Sequence, residues 1–202
     1  MPIFAVSGAS STGKTTLLNL IRVYSSCNLT VTPEFVKIFA KLKGVELREL
    51  YKNAEEAFLF QLNLYKFLFQ EFQEMKNSKL IVVSDRCPLD SLVYLMMAYE
   101  RLDDELKEFY QDELEEYQLK YIELTNEAID SIFLTTATES DPIEDDGERL
   151  LLSASDRLTE IKYFLEVFSD DRLTVPKYAL PSSTPNRLFV IYDEFFKNKI
   201  PW

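Results

Sequence analysis

Gly8-Ala9-Ser10-Ser11-Thr12-Gly13-Lys14-Thr15 follows the pattern G-x-x-x-x-G-K-[ST] of a phosphate-binding loop. Its flanks suit that reading. Ile3-Phe4-Ala5-Val6 ahead of it is a short apolar run fit for a buried parallel strand. Behind it, residues 14–24 carry Leu17, Leu18, Ile21 and Val23 at helical spacing. In this order of strand, loop and helix, the loop's backbone N–H groups can cradle a phosphate, helped by the positive end of the helix. Lys14 is expected to stand exposed and bridge the β- and γ-phosphates of a nucleoside triphosphate, while the Thr15 hydroxyl ligates Mg²⁺. The expected nucleotide-binding set is Gly8, Ala9, Ser10, Ser11, Thr12, Gly13, Lys14, Thr15 and Thr16. A glycine turn that binds nothing is the alternative, and the flanks count against it.

Residues 28–32 read as a second short strand, after which Pro33 opens a helix over 33–43 with Glu34 in its first turn. A long helix is expected over 53–76, with Phe58, Leu62, Tyr65 and Phe69 as one apolar stripe and Leu59 and Leu68 beside it. Such a stripe belongs to a core rather than to a ligand box. Residues 79–84 form the clearest strand and run straight into Asp85-Arg86-Cys87-Pro88-Leu89-Asp90. Helices over 92–99 and 103–128 follow, the second with an acidic excess that reads as a solvated face. Next come a strand over 130–135, a polar stretch over 136–147 and a helix over 148–168. A short strand at 173–175 precedes a last helix over 185–199, opened by Thr184-Pro185. No internal repeat is present. The alternation predicts an α/β fold, a parallel sheet flanked by helices, in a single domain over 1–202 with a helical insert near 102–128 and a lid near 136–149.

A net charge of −12, from 34 acidic against 22 basic residues, favours solubility and disfavours non-specific binding to polyanions, though a local basic cleft remains compatible with it. Two cysteines make no disulfide framework, and Cys87, though beside a candidate site motif, reads as a free, partly buried thiol. The chain has no histidine, so a general base must be a carboxylate, and a metal would be a hard cation arriving with the nucleotide. With the first strand expected almost at the start, no signal peptide is expected, and no apolar run reaches the ~18 residues of a membrane span. A cytoplasmic location is expected.

Ligands of parallel sheets sit at the carboxyl ends of the strands. Three segments fall there and are predicted to share a cleft: the phosphate-binding loop, Thr32-Pro33-Glu34, and Asp85-Arg86. Asp85 could hold the metal shell or take a proton from an attacking hydroxyl, or it could merely cap the next helix. Arg86 could bind phosphate or pair with a carboxylate, and Asp90 could orient Arg86 or cap a helix. Glu34 could meet a substrate hydroxyl or a metal-bound water, or simply compensate a helix dipole. The polar stretch ends in Asp145-Asp146-Gly147-Glu148-Arg149, with Arg157 further on. That arrangement suits a lid whose arginines bring positive charge to the transferring phosphate. A surface ion pair with a neighbour such as Glu160 is the alternative for either arginine.

GASSTGKT, TPEF, DRCPLDSLVY and DPIEDDGERLLLSASDRLTEI, in that order, resemble a family of P-loop kinase-like AAA domains. The family includes bacterial ribosylnicotinamide kinases and is related more loosely to deoxynucleoside and thymidylate kinases. The resemblance covers most of the chain, except that 102–128 matches no known substrate-site pattern. It implies that Lys14 and Thr15 hold ATP and Mg²⁺, that Glu34 and Asp85 face acceptor and metal, and that Arg149 and Arg157 serve the lid. The implied activity is transfer of the γ-phosphate of ATP to a hydroxyl of a nucleoside- or nucleotide-like acceptor. One rival is a phage-type kinase acting on a hydroxymethylated pyrimidine base in DNA. Another is a nucleotide-dependent binding switch with slow hydrolysis. A homodimer remains open.

Overall fold

The computed structural model describes residues 1–24, 29–135 and 154–197. Five strands, β1 (Ile3–Gly8), β2 (Leu29–Val31), β3 (Ile81–Asp85), β4 (Ser131–Thr135) and β5 (Lys177–Leu180), form one parallel sheet in the order β2-β3-β1-β4-β5. Among the described residues eight helices accompany them: α1 (Lys14–Tyr24), α2 (Phe35–Lys43), α3 (Leu47–Leu50), α4 (Ala54–Lys76), α5 (Pro88–Glu100), α6 (Asp104–Ala128), α7 (Ala154–Phe168) and α8 (Thr184–Lys197). The predicted α/β class, a P-loop fold with a parallel sheet between helices, is the one observed.

Alternation along β1 explains the layers. Successive side chains of a strand point to opposite faces. Ile3 and Ala5 join a core with Phe58 and Phe72 of α4, Leu92 of α5 and Tyr121 of α6. Phe4 and Val6 face the other way, onto Leu17, Leu18 and Ile21 of α1 and Ile191 of α8. β1 is therefore covered on both sides and carries its loop into the middle of the sheet's carboxyl edge.

The strand ends tightly. Gly8, at φ +137°, lies opposite Thr135 of β4, and a Cβ there would come within 2.2 Å of the Thr135 carbonyl oxygen. Backbone clash and a positive φ both oppose any side chain. Gly8→Ala is expected to cost about 3 kcal/mol or more. Thermal unfolding should then show a melting temperature lower by roughly 6–12 °C for a chain of this size. An unchanged melting temperature would mean that β1 and β4 are not locked at this point.

Several boundaries differ from the sequence reading. α2 begins at Phe35, and Glu34 precedes it in extended conformation (φ −71°, ψ 108°), so Glu34 is not in the first helical turn. α5 starts at Pro88, earlier than expected, because Asp90 accepts a hydrogen bond from the Cys87 N–H at 2.9 Å and caps the helix. On α4 the buried face runs through Ala57, Phe58, Gln61, Leu64, Leu68 and Phe72, while Phe69 is 42 % exposed. The expected stripe is thus rotated, because α4 packs on α2 as well as on α5 and α6.

The fifth strand lies at 177–180, not at 173–175. Leu173 and Val175 are buried, but their stretch approaches the sheet without pairing, and the ladder with β4 begins after Pro176. Burial alone cannot distinguish a buried approach from a strand. α8 begins at Thr184, one residue ahead of the expected start. The predicted lid, Arg149 and the start of the predicted 148–168 helix lie outside the described residues. Among the described residues no helix is long and apolar enough to cross a membrane.

Candidate active site

β1, β2 and β3 end beside one another, and their ends border a cavity of about 380 Å³. Residues 10–16 of the phosphate-binding loop form one side, with Glu34, Asp85 and Arg86 next to them. Phe35, Leu47, Tyr51, Leu68, Phe72 and Tyr94 supply apolar and aromatic wall. The three predicted segments do converge.

Arg86 organises the charged end. Its backbone takes a left-handed conformation, φ +76°, which a residue with a side chain adopts only when its surroundings demand it. The demand is visible: its N–H donates to the Val6 carbonyl at 3.1 Å, and its carbonyl accepts from Ser84 Oγ at 2.7 Å. That twist sends the guanidinium inward. Nε donates to Glu34 Oε1 at 2.6 Å and Nη1 to Asp90 Oδ1 at 3.1 Å, with the Tyr94 ring 5.8 Å away. Of the two roles open to Arg86, the structure shows carboxylate pairing. Asp90 fills both of its proposed roles. One of its oxygens faces Arg86, and the other accepts from Ser7 Oγ at 2.6 Å and from the Cys87 N–H. Cys87 is buried beside Ser7, and burial pushes its thiol well up, which leaves it an inert thiol.

Of the cavity carboxylates, Glu34 and Asp85 are shifted in opposite directions. Burial alone would push Glu34 up, but Arg86 and, beyond it, Lys37 at 3.7 Å outweigh burial and hold the carboxyl below its usual range. Asp85 is pushed up to about 6, chiefly by burial, with Glu34 adding repulsion and Arg86 only partly opposing both. Its backbone N–H donates to Thr32 Oγ1 at 3.1 Å, which ties the end of β3 to the exit of β2.

Lys14 corrects an expectation. It is 6 % exposed rather than standing free, and its ammonium donates to the Gly8 carbonyl at 2.8 Å, the Ala9 carbonyl at 2.6 Å and Thr12 Oγ1 at 3.3 Å. A loop that turns its N–H groups to one side presents carbonyls elsewhere, and a lysine at its end can reach them. Burial, reinforced by the charge of Arg86, lowers Lys14 to about 8, against the opposing pull of Asp90, Glu160 and Glu34. Thr15 is exposed and lines the cavity. Among the described residues no cluster of three or more Asp, Glu, Cys or His gathers to hold a metal alone. Thr15 and Asp85 both line the cavity and carry hard oxygens, the kind Mg²⁺ takes when phosphates and water complete its shell.

Arg157 is 2 % exposed and its Nη1 donates to the Ser10 carbonyl at 2.5 Å, so a surface ion pair is not its arrangement. Glu160, one helical turn on, is fully buried. Its Oε1 accepts from the Ser10 N–H at 3.0 Å, Ser10 Oγ at 2.9 Å and the Tyr94 hydroxyl at 2.9 Å. Arg157 Nε and Nη2 and Glu160 Oε2 have no hydrogen-bond partner among the described residues. Sequence reading passed over Glu160 and Tyr94 as site residues. The three-residue spacing of Arg157 and Glu160 on one helical face was the available signal. For Tyr94 there was none, since a tyrosine in an apolar helix reads as core.

Residues 3–182 match a family model described as an AAA domain. The chain belongs to this AAA-domain family. Its glycine loop between β1 and α1 and its parallel sheet are those of a P-loop fold. No curated protein matches the chain significantly. Among solved structures, it is similar to deoxyadenosine kinase from M. mycoides with bound dATP, at TM-score 0.74 and 16% identity. The same enzyme with products dCMP and a flexible dCDP gives TM-score 0.69 and 15% identity, and with bound dCTP 0.69 and 14%. Each comparison covers 96% of this chain and 99% of the other. At such identities the likeness is one of fold.

Proposed function

We propose that this AAA-domain protein is an ATP- and Mg²⁺-dependent kinase that transfers the γ-phosphate to a hydroxyl of a nucleoside-like acceptor. The observation that carries the reading is one cavity shared by the phosphate-binding loop, the carboxylates of Glu34, Asp85 and Asp90, and an aromatic wall. The wall suits a planar, uncharged ring. Glu34 and Asp85 oppose a second phosphate at that end, and the Arg86 guanidinium is already committed to Glu34 and Asp90. The balance favours a nucleoside over a nucleotide as acceptor. An apolar-walled cavity beside the loop also weighs against a switch that transfers nothing.

In this reading the loop and Lys14 hold the triphosphate, Lys14 exchanging the Gly8 and Ala9 carbonyls for phosphate oxygens. Thr15 and Asp85 would hold Mg²⁺, which when bound neutralises charge on the phosphates. Glu34, kept ionised and aimed by Arg86, accepts the hydrogen bond of the acceptor hydroxyl and takes its proton as oxygen bonds to the γ-phosphorus. The bond from that phosphorus to the bridging oxygen breaks, and ADP leaves with the electron pair. Catalysis is mostly positioning and charge stabilisation.

Transfer of label from γ-³²P ATP tests the assignment against nucleosides, nucleotides, ribosylnicotinamide and DNA bearing hydroxymethyl pyrimidines. Label in nucleosides is expected. Label in DNA alone would move the acceptor to the polymer, and slow phosphate release with no acceptor labelled would make the chain a switch. Within the same reading, Glu34→Gln should lower kcat/KM for the acceptor about a hundredfold while ATP affinity hardly moves. Steady-state kinetics with each substrate varied measures the split, and an equal loss toward ATP would remove Glu34 from the acceptor side.

A further inference from the structure

Arg187, in the first turns of α8, lies outside the cavity lining yet touches the phosphate-binding loop from behind. It is 7 % exposed; Nη1 donates to the Thr12 carbonyl and Nε to the Pro181 carbonyl, each at 2.6 Å. A Cβ on Gly13 would stand 3.1 Å from Nη1, so the guanidinium lies against the loop at the Thr12–Gly13 peptide.

That peptide is the one least able to hold its own orientation. Turning it over changes ψ of Thr12 and φ of Gly13, and glycine tolerates either sign of φ. Gly13 sits at φ +79°, two residues after Ser11, which is itself at +59°. A trans peptide points its N–H opposite to its carbonyl. Holding the Thr12 carbonyl therefore turns the Gly13 N–H away from Arg187, and Gly13 lines the cavity. Arg157 makes the equivalent contact at the Ser10 carbonyl, which turns the Ser11 N–H away from α7. Two arginines from two helices thus grip alternate carbonyls of one loop.

We propose that Arg187 is a positioning residue of the phosphate-binding loop: by holding the Thr12 carbonyl it aims the Gly13 N–H at the β-phosphate of a bound nucleotide. The fork of the guanidinium matters. One N–H fixes the loop and another fixes the side chain to the exit of β5, a geometry that the point charge of a lysine cannot reproduce. The proposal rests on the nucleotide-binding reading of the loop.

Calorimetric titration of the full chain with ADP and with AMP, for wild type, Arg187→Gln and Arg187→Lys, separates positioning from general loosening. AMP carries no β-phosphate for the loop to hold, so the ratio of the two affinities is the readout. Arg187→Gln should shrink the preference for ADP over AMP at least tenfold, and Arg187→Lys about threefold or more. In the amide spectrum, the ADP-induced shift of the Gly13 N–H should be lost in the glutamine variant. A folded Arg187→Gln protein with an unchanged ADP/AMP ratio overturns the proposal, as does a loss shared equally by both nucleotides. If the glutamine variant does not fold, an unchanged ratio in Arg187→Lys overturns it equally. A wild-type chain that binds no ADP removes the nucleotide reading along with this one, whereas a binding wild type with an unaffected variant removes this one alone.

Discussion

Replacing Lys14 by alanine is expected to slow phosphoryl transfer about a thousandfold or more, ~4 kcal/mol of transition-state stabilisation, in a protein that still folds. The loss follows from charge. In the proposed reaction Lys14 is the loop's own cation, since Arg86 is held by Glu34 and Asp90. Retention of the fold follows from a different argument than exposure, because Lys14 is buried. Its depressed value, about 8 against 10.5, means that the folded chain disfavours the charged ammonium by roughly 3 kcal/mol at ~1.4 kcal/mol per unit. That cost is present below pH 8 and vanishes as the pH rises past 10.5. Removing the ammonium therefore relieves desolvation while it forfeits three hydrogen bonds. Chemical denaturation at pH 7 should give a stability near that of wild type, and label transfer should fall to background. Near-normal turnover in a folded Lys14→Ala protein would sink the phosphate-loop assignment.

Asp85→Asn should show two opposite effects. In the proposed reaction its carboxylate would serve the metal, so turnover falls a hundredfold or more. The metal-free protein should become more stable at neutral pH. Asp85 is raised in the folded chain, from 3.8 to about 6, so its favourable contribution is complete only below pH 3.8, where it is protonated in both states. That contribution is lost as the pH rises through 6. Above that pH the ionised carboxylate costs up to about 3 kcal/mol, which asparagine removes. Melting curves of the metal-free proteins across pH 4–8 should show the variant ahead at pH 7 and the gap closing toward pH 4. Unchanged turnover with no pH-dependent gap would leave Asp85 as the end of a strand and nothing more.

The split between these two carboxylates shows where sequence reading stops. Glu34 and Asp85 were both legible as acidic residues at strand ends, and both line the cavity. That one is held ionised and the other pushed up depends on which of them Arg86 reaches. That in turn depends on a left-handed backbone at residue 86, which nothing in Asp85-Arg86-Cys87 announces. Asp90 was legible as a partner for Arg86 or as a cap, and the structure shows both contacts. Its contact with Ser7, 83 residues away in the chain, was not legible.

What the sequence alone determined is what local pattern controls. The strand, loop and helix around Gly8 to Thr15, the apolar 81–85 strand, and the long helices near 54–76 and 104–128 follow from periodicity and turn chemistry within short windows. Once strands alternated with helices, the parallel sheet and the meeting of strand ends were implied as well. The tertiary structure decided whatever needs a partner distant in the chain. It set the face of α4 that is buried and the start of β5 after Pro176 rather than at Leu173, since a strand exists only where a neighbour pairs with it. It turned Lys14 inward onto the loop's carbonyls, and it brought Arg157, Glu160 and Arg187, from the last third of the chain, onto the back of a loop at its start. Buried polar groups take whatever donors and acceptors the packed elements present to them, and short sequence windows do not contain that information.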